Sequence, residues 1–307
     1  MNIQTISIVV PTKGCVNNCP FCVSRMHDSP YENKWNDIQM VKRIKYAIMN
    51  NVNTCIITGI GEPLQNISFL NKLSMLFNRL DDPFPNIELQ TTGIFLLRNE
   101  KVFDNYTSAL SNPIYTNLVL LKKLGVNTIS LSVSNIFDDE LNNKIICVLE
   151  KEKFYLENLI RILKNDGFNI RLSLNMLKEY DAYTPENIIE RCKDLGADQI
   201  TFRKMYCPKV NFTPQTEWVK ENSAKESTLK KIKEYIQGTS INGHQDGNGK
   251  LLYQLPFGPF VYSIMGMSVV IDDNCMGQES RLNLKYVILR ENGKLYSQWD
   301  DEGSLIF

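Results

Sequence analysis

Three cysteines stand within eight residues, Cys15-Val16-Asn17-Asn18-Cys19-Pro20-Phe21-Cys22, at the spacing C-x3-C-x2-C. Thiols this close together are metal ligands in waiting. Three thiolates can hold three irons of a cubane cluster, which ordinarily takes four cysteines. No fourth cysteine lies nearby, so one iron is left open to a small-molecule ligand. A structural zinc site is the other reading, because three cysteines with His27 make a tetrahedral set. Zinc modules, however, often carry paired C-x-x-C knuckles in a small domain, whereas this loop opens a long chain of strands and helices.

The elements that must position the loop repeat along the chain. Ile6-Ser7-Ile8-Val9-Val10 is apolar and β-branched, which predicts a buried strand over residues 5–11. Pro11, Gly14, Asn17, Asn18 and Pro20 then break the chain into a loop. Asn36 or Asp37 caps a helix to residue 50, with Ile38, Val41, Ile44, Ala47 and Ile48 on its inner face. A second strand follows over 53–58, a turn over 59–63, a helix over 68–79 and a third strand over 86–92. An insertion is helical near 101–109 and again near 117–124. Strand four spans 126–133, helices 138–146 and 152–165, strand five 168–175, a helix from Pro185 to Gly196, and strand six 198–204. Six strand–helix units predict an α/β fold with a parallel sheet and right-handed crossovers. Later come a charged helix over 222–237, a Gly/Asn-rich loop over 238–249 and a hairpin over 287–296 turning at Asn292-Gly293.

The cysteine loop directly after a first strand, with Phe21 in the aromatic place, resembles the signature of the radical S-adenosylmethionine (SAM) enzymes. The resemblance covers roughly residues 5–205. It implies an incomplete (β/α)6 TIM-like barrel, one [4Fe-4S] cluster on Cys15, Cys19 and Cys22, and SAM on the open iron. In that family the reduced cluster cleaves SAM to a 5′-deoxyadenosyl radical, which takes a hydrogen atom from substrate. An electron donor such as flavodoxin or ferredoxin is implied as well. Gly59-Ile60-Gly61-Glu62-Pro63 falls where the family places a Gly-Glu pair. Glu62 is expected to accept N–H bonds from the SAM amino group, while Gly59 and Gly61 let backbone approach and Pro63 stiffens the turn. Polar groups at later strand ends are expected near SAM: Thr92, Ser130, Ser132 and Asn175, with Arg203 gripping the SAM carboxylate or an anionic substrate. Cys207 is a candidate hydrogen-atom donor to a substrate radical. Cys55, Cys147, Cys192 and Cys275 read as core or incidental, which argues for one cluster.

The chain has 307 residues, 43% of them hydrophobic, and 34 basic residues balance 34 acidic ones. That is enough apolar material for a sizeable core and gives no global pull toward nucleic acid. No apolar run reaches membrane-spanning length, and the cysteine usage fits a reducing cytoplasm. Residues 1–210 are expected to form the partial-barrel core and 211–307 an extension over it. The expected substrate is a small or nucleotide-like molecule, with a peptide next and RNA third. The competing class is a non-catalytic, zinc-stabilised binding protein. The tail is rich in aromatics, including Tyr253, Phe257, Phe260 and Tyr262, and is expected to lid the mouth or complete the core.

Overall fold

The computed structural model describes residues 2–26, 33–98, 116–208, 212–238, 240–241, 244–245, 247–255, 258–272, 283–299 and 301–307. His27, Cys275, Phe257 and the helix expected near 101–109 lie outside the described residues.

Six strands and their helices follow in the expected order. They are β1 (Asn2–Val10), α1 (Asp37–Met49), β2 (Thr54–Gly59), α2 (Ile67–Arg79), β3 (Asn86–Thr91), α3 (Thr116–Lys123) and β4 (Thr128–Val133), then α4 (Asp139–Ile145), α5 (Leu156–Asn165), β5 (Asn169–Asn175), α6 (Pro185–Asp194) and β6 (Gln199–Arg203). The helices begin where side chains can take the first free N–H groups. Asn36 accepts from Gln39, Asn66 from Phe69, Asp138 from Leu141 and Thr184 from Asn187. α5 starts at Leu156 rather than at 152 because Asp139 Oδ1 accepts the Leu156 N–H at 2.9 Å. The inner face of α1 is Met40, Ile44 and Ala47, whereas Ile38 and Ile48 are exposed. The i, i+4, i+7 spacing of those three is the better helical stripe.

Each strand separates its two faces by the alternation of side chains. Ile6, Ile8, Val10, Ile57, Leu89, Ile129, Leu131, Ile170, Leu172, Ile200 and Phe202 are buried in one main apolar core. The residues between them are largely polar, including Glu88, Gln90, Ser130, Ser132, Arg171, Ser173, Asn175, Gln199 and Arg203. Glu88 pairs with Arg171, whose Nε donates to Gln199 at 2.7 Å. A polar inner face of this kind suits a site that handles polar ligands rather than a packed hydrophobic plug.

The tail departs from the sequence reading. The helix expected over 222–237 is α8 (Glu226–Gln237), and an unforeseen helix, α7 (Pro214–Asn222), precedes it, starting on a capping box between Thr213 and Thr216. The loop expected over 238–249 contains two short antiparallel strands, β7 (Ser240–Ile241) and β8 (His244–Gln245). Three unforeseen strands follow, β9 (Lys250–Gln254), β10 (Phe260–Ile264) and β11 (Met267–Asp272), before the expected hairpin of β12 (Asn283–Leu289) and β13 (Leu295–Tyr296). The sheet order is β13-β12-β1-β2-β3-β4-β5-β6-β11-β10-β9. β12 lies parallel to β1 and β11 parallel to β6, so the tail adds a parallel strand to each flank of the six. The β12 ladder also explains why β1 begins at Asn2, which pairs with Asn283.

β11 and β12 sit at opposite ends of eight parallel strands, yet Lys285 Nζ lies 3.6 Å from Asp272 Oδ1. In a flat sheet with strands about 4.8 Å apart, those ends would stand roughly 34 Å from one another. The sheet therefore curls until its flanks meet, as a TIM-like barrel does. Among the described residues no backbone ladder joins β11 to β12.

Candidate active site

The cysteine loop leaves the C-terminal end of β1, where barrels of this kind keep their chemistry. It is fastened on several sides. Val16 N donates to Gln65 Oε1 at 2.9 Å, and Asn66 Nδ2 donates to Pro11 O at 2.7 Å. Cys22 N donates to Cys19 O, and the chain continues into a short 3-10 turn over Val23–Arg25. Arg25 Nη2 reaches back to Asn17 O at 3.0 Å, and Cys19 Sγ donates to Ile146 O at 3.5 Å. Phe21 packs against Trp218 of α7 with ring centroids 5.8 Å apart.

Burial raises the Cys15 thiol above its ordinary pKa, and the nearby Glu62 and Cys22 add to the rise. Burial does the same to Cys19, followed by Cys22, Cys15 and Cys147. The Cys15 and Cys19 thiols are thus hard to ionise where they stand, and a bound cation would favour their thiolates. Among the described residues no group of three or more His, Cys, Asp or Glu side chains is placed to hold a single metal ion.

Glu62 ends the turn after β2 and is 2% exposed. Its Oε1 accepts from Thr91 Oγ1 at 2.6 Å and from Leu64 N at 3.4 Å. Its Oε2 accepts from Thr92 N and Thr92 Oγ1, each at 3.0 Å. Burial pushes the carboxyl above its usual range, against the pull of these bonds toward the charged form. Thr92 Oγ1 also accepts from Asn17 Nδ2 at 2.8 Å, which links the Glu62 turn to the cysteine loop. Pro63 is buried and opens the 3-10 turn that carries Gln65. A Cβ on Gly61 would lie 2.5 Å from Thr12 Oγ1 and 2.6 Å from Gly14 O, and one on Gly59 would lie 2.9 Å from Gly61 O. Only glycine lets these two segments touch.

The other expected residues are arranged in two groups. Ser132 and Ser134 both accept from Asn175 Nδ2, at 3.2 and 3.4 Å, and Ser130 is buried one step below on the same face. Arg203 stands beside Asn175 and Asp272 in the strand register, and its Nε is buried with no hydrogen-bond partner among the described residues. Cys207 is exposed, with its thiol 4.0 Å from Pro208 O. Of the cysteines read as core or incidental, Cys55 and Cys192 are buried, but Cys147 is exposed and lies close to Cys19. It lies two residues past the end of α4, in a backbone conformation with φ of +54°. The strand-three end at Thr91 and Thr92 is where the resemblance implies a polar turn near SAM, whereas Gln65, Asn17 and Trp218 were not expected as parts of this site. The G-x-G-E-P turn was signal enough to look for partners of Glu62, but long-range hydrogen bonds leave no local pattern.

The residues present fit a cluster with SAM on three counts. Three thiols share one loop. Gly61 makes room for that loop where any side chain would collide. Two buried polar atoms at the loop, Asn17 Oδ1 and Thr12 Oγ1, have no protein partner among the described residues, as expected of groups reserved for a ligand.

A family model for the radical SAM superfamily matches residues 9–178. A probable dual-specificity RNA methyltransferase RlmN from Finegoldia magna is 28% identical over 210 residues, covering 59% of this chain and 57% of that protein. An uncharacterized protein from Methanocaldococcus jannaschii is 24% identical over 188 residues, covering 59% of this chain and 54% of that protein. The chain thus spans little more than half the length of these curated relatives. The structure of native anSMEcpe with bound AdoMet and the Cp18Cys peptide superimposes with a TM-score of 0.53 at 13% identity, covering 98% of this chain and 75% of that one. That likeness speaks for the fold, and no helix among the described residues is long and apolar enough to cross a membrane. The family match runs from the end of the first strand, through the three cysteines and Glu62, to the end of the fifth strand, more than half of the chain, and the protein belongs to the radical SAM superfamily of enzymes.

Proposed function

We propose that Cys15, Cys19 and Cys22 hold a single [4Fe-4S] cluster and that Glu62 holds SAM beside it. The observation that carries this reading is the continuous network from Glu62 through Thr92 to Asn17 in the cysteine loop. When bound, cluster and SAM together supply reductive cleavage to a 5′-deoxyadenosyl radical that takes a hydrogen atom from substrate. The chain's own residues position and shield. Thr91 and Thr92 fix the Glu62 carboxylate toward an amino group. Ser130, Ser132 and Asn175 line the polar wall for the ribose side, and Arg203 meets a carboxylate or another anionic group. Phe21, backed by Trp218, closes one side against water.

A small-molecule or nucleotide-like substrate is the first reading, supported by a polar interior and a formal net charge of zero. A peptide is the second, favoured by β9, an edge strand exposed along its length with Leu251, Leu252 and Tyr253 on it. RNA stands third, supported by the RlmN relative and opposed by the charge balance. Residues 1–210 act as the six-strand partial barrel and 211–307 as an extension that adds β11 and β12 to its flanks and side chains to its core, with Cys207 as hydrogen-atom donor and flavodoxin or ferredoxin as electron source, in a cytoplasmic setting. The test is anaerobic reconstitution followed by iron and sulfide analysis, then incubation with SAM, reductant and deuterated cell extract. The expected result is iron with sulfide, release of 5′-deoxyadenosine, and deuterium in it from one metabolite. Stoichiometric zinc without sulfide would refute the reading in favour of a zinc-stabilised binding protein.

A further inference from the structure

We propose that Asn17 is a SAM-binding residue, whose side-chain carbonyl accepts an N–H bond from the SAM amino group alongside Glu62. The inference rests on the reading that Glu62 holds that amino group. Asn17 lies between Cys15 and Cys19 and is 2% exposed. Its Nδ2 is 2.8 Å from Thr92 Oγ1, which is 3.0 Å from Glu62 Oε2.

These two contacts fix which way the amide points. An ionised carboxylate only accepts hydrogen bonds, so the single hydroxyl hydrogen of Thr92 goes to Glu62. The hydroxyl can then only accept from Asn17, and the atom facing it must be the amide nitrogen. The opposite orientation would set two acceptors against each other. Asn17 Oδ1 therefore points away from Thr92. It is buried and has no hydrogen-bond partner among the described residues.

A buried, unpaired amide oxygen lowers stability, and the Nδ2 bond to Thr92 accounts only for the nitrogen end of the amide. The Asn17 backbone carbonyl already serves the loop by accepting from Arg25, so loop geometry does not require the side-chain oxygen. What recovers the loss is a ligand bearing a hydrogen-bond donor. The carboxylate of SAM has none. Its amino group does, as do its ribose hydroxyls and adenine amine, and of these the amino group is the one read to lie at Glu62, which Asn17 reaches through one shared hydroxyl. Two acceptors on one rigid network suit an amino group with more than one N–H. The Asn17 carbonyl thereby distinguishes an amino group from an uncharged group of the same size, since only the donor satisfies it.

The experiment uses the full chain, wild type alongside Asn17→Leu and Asn17→Ser, each reconstituted anaerobically. Iron and sulfide content is measured first. Each protein is then titrated by calorimetry with SAM and with the SAM analogue in which the amino group is replaced by hydrogen. We expect wild-type cluster content in at least one variant. In that variant SAM should bind at least about tenfold more weakly, the low end for a hydrogen bond between a polar and a charged group. The deamino analogue should bind as it does to wild type. Unchanged SAM affinity overturns the proposal, and so does an equal loss for SAM and the analogue. Loss of the cluster from both variants assigns Asn17 to holding the loop and overturns it as well. A wild-type protein that takes up no cluster, or binds no SAM, sinks the broader reading of the site instead, so the two failures are told apart.

Discussion

Replacing Glu62 by Gln removes one charge from the site and leaves its shape. The four contacts of the carboxylate show what else changes. Thr92 N and Thr92 Oγ1 both donate to Oε2, so the amide oxygen takes that place and keeps both bonds. The amide nitrogen then takes the Oε1 place, 2.6 Å from Thr91 Oγ1, and the long 3.4 Å bond from Leu64 N loses its acceptor. That hydroxyl already accepts from Gly93 N at 3.0 Å, and it can turn to accept the amide as well. The rearranged hydrogen bond costs about 1 kcal/mol, offset by no longer burying a charge in a site that resists it. The anchor from Thr92 to Asn17 stays in place, so the cysteine loop and its metal should survive. What is lost is the charged partner of the SAM amino group, about 1.5–3 kcal/mol, or roughly 10- to 150-fold in affinity. Anaerobic calorimetry with SAM reads the loss, and iron and sulfide content checks the loop. SAM affinity within twofold of wild type, at full cluster content, would falsify the assignment of Glu62 to SAM.

The remaining predictions test the parts around it. Cys15→Ala, Cys19→Ala and Cys22→Ala should each lose cluster iron and sulfide, while Cys55→Ala, Cys147→Ala and Cys192→Ala retain them; full content in all three of the first set refutes the ligand assignment. Gly61→Ala should cut cluster loading severalfold without unfolding the chain, because its Cβ would meet Thr12 Oγ1 at 2.5 Å and Gly14 O at 2.6 Å; wild-type loading would show that the two segments yield freely. A chain ending at Gly238 should be insoluble or unfolded by circular dichroism, because it lacks β11 and β12 and so removes Val269, Val287, Leu289 and Leu295 from the main core. A folded, SAM-cleaving fragment without substrate turnover would instead make the tail a lid.

The first two thirds of the fold were legible because each element carries its own local pattern. Ile129, Leu131 and Val133 alternate with Ser130 and Ser132, and the caps at Asn36 and Asp138 and the proline Pro185 announce their helices, whereas the helix expected from Ser68 starts at Ile67 on the Asn66 cap. The tail strands were harder for a physical reason. β9 is exposed along its whole length, so burial imposes no alternation on it, and β12 pairs with β1 across some 280 positions of chain, as Thr5 Oγ1 bonding to Lys285 O illustrates. α7 had a readable start in Thr213-Pro214, but it buries only Thr216 and Val219, too little apolar surface to make a helical stripe. Within the site, residue type and spacing pointed to the cysteines and Glu62. The clamp of Thr91 and Thr92, and the amide of Asn17 beneath the loop, exist only once β1, β2 and β3 are side by side.

The contact between Asp272 and Lys285 has a further meaning. A complete barrel is shut by backbone bonds, which any sequence can make. Here the last seam between β11 and β12 is held by a clasp of two side chains that are each less than one fifth exposed. A ladder can only be lost strand by strand, but a clasp can be loosened or lengthened by a single codon. A change at Asp272 or Lys285 therefore alters how tightly this barrel is drawn shut while leaving β1, β2 and β3, which carry the cysteine loop, Glu62 and Thr91, untouched.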